Sequence, residues 1–442
     1  MTDAHSTHLL RVLSTAFGVA VVVGGTIGQG IMRTPGLVAQ GVPDATIMVL
    51  LWIAGGIIAL IDAMSSVELA ASIRRSGGPY VFAARAFGPS IGLAVGLTDW
   101  LGNVAAIAYI GVVFAEYLHR LGLATGVPTG LLAMTLPLAT CIIHLFGTRV
   151  GGASQEIGSA VKAAVYAALI LALLLAPHGA PVMTDHHPVA LTLAGTIGAV
   201  RAVVGAYAGW NSAVYFTEEM KDPRRAIVRA TFSGIAAILA VYVLMNIAIL
   251  RTLTPAEMAG SNLVAAEAAA RIFGSASGTA SLLVTAVSLI SVATLGNVMV
   301  MQFPRVLYAI TADAKVPLLS TVAANGSPKA AVLLTAGLGA LLATVGIYDL
   351  LLSFSLSLIT AMSIGMNVAA IVMRVREPDL ERPWRMPLFP LPALFSMLVN
   401  TALFAAFVYE EPRTSGWAFA LLAVLTLIAS WAARIARRSS HA

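Results

Sequence analysis

The sequence predicts an all-α protein that crosses a lipid bilayer many times. Three observations carry this. The 442 residues are 59% hydrophobic and only 10% charged, with a mean hydropathy of +0.90. A soluble domain needs about a quarter of its residues charged to cover its surface, so most of this surface must meet lipid. Apolar runs near the ~20 residues that span a bilayer as helix recur along the whole chain. Helix is the default inside lipid, which offers nothing to satisfy an open backbone group. Finally, the basic residues gather in alternate loops.

The apolar runs place spans near 14–40, 44–72, 90–121, 129–146, 152–177, 192–219, 226–250, 277–312, 330–347, 350–375, 388–409 and 416–437, twelve in all. Gly77 to Phe87 and Pro255 to Phe273 read as amphipathic rather than spanning. The stretch after Arg11 is too long for the apolar core of a signal peptide, so it reads as a retained first span. Of the 26 Lys and Arg residues, 19 fall on one side of the membrane. Only Arg120, Arg251, Arg271 and Arg413 fall on the other, while Arg33, Lys162 and Arg201 lie inside spans. That bias predicts both termini in the cytoplasm of a cell with this chain in its inner (cytoplasmic) membrane.

The net charge of +6 forms no basic stripe with interleaved aromatics, which excludes a nucleic-acid partner. Cys141 is the only cysteine, so no intramolecular disulfide or cysteine metal site can form. Asp185-His186-His187 are adjacent and cannot surround an ion, so no metal is expected there. No cofactor is called for and no obligate protein partner is inferred. A nucleophile with a base, or paired carboxylates at matching depth, would mark an intramembrane enzyme; neither signature occurs.

Two spans contain sequence that a continuous helix should avoid. The first holds Gly24-Gly25-Thr26-Ile27-Gly28-Gln29-Gly30, and the sixth holds Gly205-Ala206-Tyr207-Ala208-Gly209-Trp210-Asn211. Each interior glycine costs roughly 1 kcal/mol of helix relative to alanine. One such cluster is equally well explained by close helix packing. Two, at corresponding places in spans 1–5 and 6–10, point to paired broken helices at a transport site. Five helices per half make the second repeat inverted. The halves then run 1–177 and 178–376, with 377–442 forming two further helices and the C-terminus. Unwinding frees N–H groups at one half-helix end and C=O groups at the other, which suits the carboxylate and ammonium of an amino acid.

Beyond these patterns, Gly24–Pro35, Trp52–Pro89, Ala206–Pro223, Pro304–Pro317 and Glu381–Pro390 resemble motifs of the amino acid–polyamine–organocation superfamily. The resemblance is nearest to L-type amino acid transporters and related bacterial permeases. It implies a leucine-transporter-like fold with helices 1 and 6 broken. It implies that Gln29, Gly30 and Ile31 form a carboxylate-binding turn beside Gly28. The carbonyls of Thr26, Gly205 and Ala208 would accept the substrate ammonium, with Tyr207, Gly209 and Asn211 in the same wall. The chain departs from the family pattern at Gln29, where serine is usual, and at Gly205, where an aromatic is frequent.

Ionisable residues at membrane depth are costly and point to function. Lys162, seven residues after Gln155, matches the family lysine that occupies the place of a sodium ion in sodium-coupled relatives. Ser291 and Thr294 would lie near it on the eighth span. Glu68 is expected to pair with a loop arginine. Arg33 and Arg201 flank the breaks and are expected to neutralise Asp62 or Asp99, the alternative being contact with a substrate acid group. Glu218-Glu219 and Asp222, next to Lys221, Arg224 and Arg225, read as an inner gate or a solvated cap. The expected function is amino acid transport by alternating access, independent of sodium, with proton coupling or exchange open. A permease-like amino acid sensor and a polyamine or organic cation carrier are the alternatives.

Overall fold

The computed structural model describes residues 9–28, 30–176, 191–261, 263–273, 277–345, 348–410 and 412–439. Gln29 and the Asp185–His187 loop lie outside the described residues. The described chain is helical, with an isolated bridge between Leu13 and Met220.

Ser14 starts α1 (Thr15–Thr26) by accepting a 3.0 Å hydrogen bond from the Phe17 amide, an N-cap that satisfies one orphan donor. α1 stops where the first glycine cluster makes helix expensive. The chain restarts as α2 (Gly30–Gly41) after a 45° bend. The first run is therefore two helices. Asp44 caps α3 (Ala45–Ser72), and the amphipathic α4 (Pro79–Phe87) leads into α5 (Pro89–Arg120).

The fourth run is divided between α6 (Thr129–Ala133) and α7 (Thr135–Leu145). Pro137 explains the division, because it has no N–H for the Ala133 carbonyl four residues back. α8 (Thr148–Leu175) follows as one long helix.

The sixth run also breaks. α9 (Leu193–Ala206) ends at the second glycine cluster and a 3-10 helix, η1 (Trp210–Glu219), follows. Ten residues is long for that geometry, whose hydrogen bonds are poorer than those of an α-helix. Gly209 makes the turn at φ +107°, and a side chain there would also strike the Gly25 carbonyl. Only glycine lets the two breaks touch.

The remaining elements are α10 (Pro223–Leu250), α11 (Pro255–Ala259), α12 (Val264–Phe273), α13 (Ser277–Gln302), α14 (Pro304–Asp313), α15 (Pro317–Ser320), α16 (Lys329–Ala343), α17 (Tyr348–Arg376), α18 (Leu391–Glu410) and α19 (Pro412–Ser439). Seven described helices are long and apolar enough to cross a membrane, and the bent pair α1–α2 adds an eighth candidate. Thr129–Leu145, Lys329–Ala343 and Pro412–Ile428 are shorter apolar helices.

At the centre, α1 lies against α8, α10, α13 and η1, while α2 lies against α9. Trp52, Tyr207 and Tyr242 stack edge to face or tilted behind both breaks, with ring centroids 5.0–6.2 Å apart. Large apolar side chains such as Ile142, Ile157, Leu175 and Leu398 face outward, as a lipid-facing surface requires.

Candidate functional site

The two breaks face a cavity of about 600 Å³. Thr26, Gly28, Gly30, Gly205, Ala208, Gly209 and Asn211 line it, together with Arg33, Asp62, Asp99 and Arg201. Ile31 and Tyr207 sit behind the wall. Ile31 is fully buried in the core, and the Tyr207 hydroxyl donates to the Trp52 carbonyl at 2.8 Å. An added Cβ on Gly205 would meet nothing within 4 Å, so the space an aromatic would fill is open. The Thr26 hydroxyl, buried in the cavity wall, has no hydrogen-bond partner.

The carbonyls at the end of α1 are held from three directions. Lys162, 1% exposed on α8, donates from Nζ to the Gly24 oxygen at 3.1 Å and the Ile27 oxygen at 2.5 Å. Ser291 on α13 donates to the same Ile27 oxygen at 3.0 Å. The Tyr166 hydroxyl lies 3.4 Å from the Gly28 oxygen and 3.3 Å from Ser291 Oγ. Thr294 takes no part, since its hydroxyl bonds back to Ile290 in its own helix. Asn297 is tied instead to Gln155 at 2.7 Å, and Gln155 to Ser159 at 3.2 Å.

Tyr242 joins the two breaks. Its hydroxyl is 3.3 Å from the Thr26 oxygen and 2.9 Å from the Ala206 oxygen. The sequence reading missed it, and missed Tyr166. A lone tyrosine in an apolar run has no distinguishing signal beyond its need for one polar partner.

The charges arrange themselves differently from the expectation. In place of the expected arginines, Asp99 accepts from the Tyr215 hydroxyl at 3.1 Å and the Asn103 amide at 2.7 Å. Asp62 accepts from Asn367 at 3.2 Å and Asn400 at 3.3 Å. The Arg201 guanidinium lies over the Phe407 ring, 5.5 Å from its centroid, and Arg33 is exposed at the mouth. Helix rotation decides these partners, and twelve apolar runs do not encode it.

Below the cavity, Glu68 takes Arg374 at 2.6 and 2.7 Å, Arg382 at 3.3 Å and the Met386 amide at 2.6 Å. The acidic cluster at the end of η1 is split between separate partners. Glu219 turns inward and forms a fully buried two-pronged pair with Arg305, which also lies over Phe216. Thr148 supplies a further donor to Glu219 at 3.2 Å. Removing either partner of such a pair would strand a buried charge. Glu218 exchanges backbone and side-chain bonds with Ser76. Arg224 reaches away to Glu381 at 2.6 and 2.7 Å.

No group of three or more His, Cys, Asp or Glu residues suited to a metal occurs among the described residues. What the arrangement offers is non-covalent: a large central cavity, walled by two interrupted helices, in a helical bundle with a lipid-facing exterior. These features define a multi-pass membrane protein with a central cavity.

Comparison with known proteins narrows the class. The amino acid permease family model matches residues 12–430, so the chain belongs to that family. It is 28% identical to the mouse b(0,+)-type amino acid transporter 1, over 99% of this chain and 92% of the relative. It is 28% identical to the human cystine/glutamate transporter, over 93% and 83%. A Bacillus subtilis serine/threonine exchanger, SteT, is 24% identical over 86% and 87%. The family and these relatives are transporters and exchangers, not enzymes.

Proposed function

We propose that this permease carries an α-amino acid across the cytoplasmic membrane by alternating access, without sodium, driven by exchange or by a proton. The supporting observation for sodium independence is Lys162, whose ammonium holds the Gly24 and Ile27 carbonyls. Those oxygens are of the type a sodium ion would require at roughly 2.4 Å. An ammonium satisfies them with its three donors. A second cation beside it would be repelled by about 4 kcal/mol at 4 Å and an effective dielectric of 20.

The substrate follows from the breaks. The first turn of α2 starts at Gly30 with N–H groups that have no intrahelical partner, and α1 ends at Thr26 in carbonyls that take side-chain donors or face the cavity. Gln29, Gly30 and Ile31 supply the turn for a carboxylate, and the carbonyls of Thr26, Gly205 and Ala208 face the ammonium. The bent pair, the α9–η1 segment and the three shorter helices complete twelve crossings in this reading. The second five crossings invert the first, and both termini are cytoplasmic. In this reading Arg33 and Leu37, exposed where they line the cavity, mark its outer mouth, and the buried Pro79, Phe82 and Phe303 mark its floor.

Uptake into proteoliposomes, with a panel of labelled amino acids, tests the reading. Uptake unchanged when sodium is replaced by N-methylglucamine is expected. Strict sodium dependence would overturn the role of Lys162, and binding without uptake would make the protein a sensor. A pH gradient separates the two energy sources. Proton coupling predicts faster uptake at lower external pH, and exchange predicts a requirement for internal amino acid.

A further inference from the structure

The cavity floor holds chemistry that the α-amino and α-carboxyl groups of a substrate do not use. Asp99 on α5 is 1% exposed, lines the cavity and is held only by the neutral donors of Tyr215 and Asn103. Gln302, the last residue of α13, lines the same cavity at 4% exposure, and its side-chain oxygen has no hydrogen-bond partner. A buried carboxylate without a cation and a buried carbonyl without a donor both carry a desolvation cost. One ligand group, a cation rich in N–H donors, relieves both.

We infer that Asp99 and Gln302 form a subsite for the terminal ammonium or guanidinium of a basic amino acid. This rests on the carrier reading above and names its substrate class. The path is continuous. Tyr215, which holds Asp99, lies on the 3-10 helix that leaves the second break at Gly209. The ring of Phe303, next to Gln302, stacks on Tyr215 with centroids 5.4 Å apart. A substrate anchored at the breaks has its side chain led toward Asp99 along this path. Polarity runs the same way, from exposed Arg33 at the mouth to buried Asp99 at the floor. That gradient sets the carboxylate end of a basic amino acid outward and its cationic end inward.

The experiment measures uptake of labelled arginine and labelled norleucine by the full-length protein in proteoliposomes. Arginine transport is expected in the wild type. Asp99→Asn keeps the shape of the side chain and removes the charge. It should weaken arginine by about tenfold or more, the scale of a charge-assisted hydrogen bond, and leave norleucine within about twofold. Gln302→Leu should shift arginine in the same direction by less, again sparing norleucine. Norleucine uptake without arginine or lysine uptake would overturn the subsite. Equal loss of both substrates in both variants would also overturn it, by making the two residues structural. If the wild type takes up no amino acid of any class, the carrier reading itself fails and the subsite falls with it.

Discussion

Gly205 shows what a missing side chain does. Its Cβ position opens into the cavity with no atom within 4 Å, so the helix tolerates a larger residue there and the substrate loses the space. Gly205→Phe should retain small amino acids and weaken bulky ones by about tenfold, read from competition against a panel. Unchanged selectivity would mean that substrates do not use this part of the cavity. Lys162 is the opposite case, a side chain that fills the place between α8 and the end of α1. Lys162→Ala leaves the Gly24 and Ile27 carbonyls without their charged donor, worth about 1.5–3 kcal/mol per bond. Transport should fall severely while some binding persists in a scintillation proximity assay; undiminished transport would remove the brace. Lys162 was legible because a lone ammonium in an apolar run stands out. The partners of Asp62 and Asp99 were not, since Asn367, Asn400 and Tyr215 come from distant segments and carry no charge signal.

At the scale of the helix, glycine clusters announced where α1 and α9 end, because helix cost is local in sequence. What the clusters did not reveal is how the breaks are tied together. Tyr242 does this from α10, and Gly209 makes the contact possible by its left-handed turn. Tyr242→Phe keeps the ring against Trp52 and Tyr207 and deletes only the hydroxyl. It should slow transport several-fold and cost about 1 kcal/mol, the net value of one hydrogen bond, seen as a small drop in thermal stability. Wild-type turnover would show that the breaks need no tie. Seven long runs, among them 44–72, 90–121 and 226–250, correspond to single long helices, because continuous apolar sequence has no other option in lipid. Run 129–146 corresponds to one apolar helical stretch, Thr129–Leu145, with a division at Met134 where Pro137 interrupts the backbone bonding.

Across the whole molecule the exposed ion pairs lie unevenly. On the side proposed as cytoplasmic, Glu381 takes Arg224 at 2.6 Å and Arg74 at 3.4 Å, Glu377 takes Arg85 at 2.7 Å and Asp313 takes Arg75 at 2.8 Å. The opposite side shows Glu257 with Arg271 at 2.5 Å among the described residues. Each exposed pair contributes only ~0–1 kcal/mol, but all on one side stabilise the conformation closed there. Glu381→Gln should raise cytoplasmic accessibility of cysteines placed in the cavity, and salt near 1 M should do the same to the wild type. No change in labelling would exclude a latch. Arg85 holds the Glu377 carboxyl below its ordinary range, so this contribution is present above about pH 4.5 and is lost only as pH falls below that. The basic loops stood out in the sequence, because charge is excluded from lipid whatever its partner; their pairing across loops did not. The size of the cavity carries one more consequence. At ~30 Å³ per molecule, about 600 Å³ has room for roughly twenty waters, more than any one amino acid displaces. In the carrier reading, occlusion is therefore a drying step, and osmotic pressure in the bath assists it. A solute too large to enter, such as a high-molecular-weight polyethylene glycol, draws water from the open form and favours the closed one.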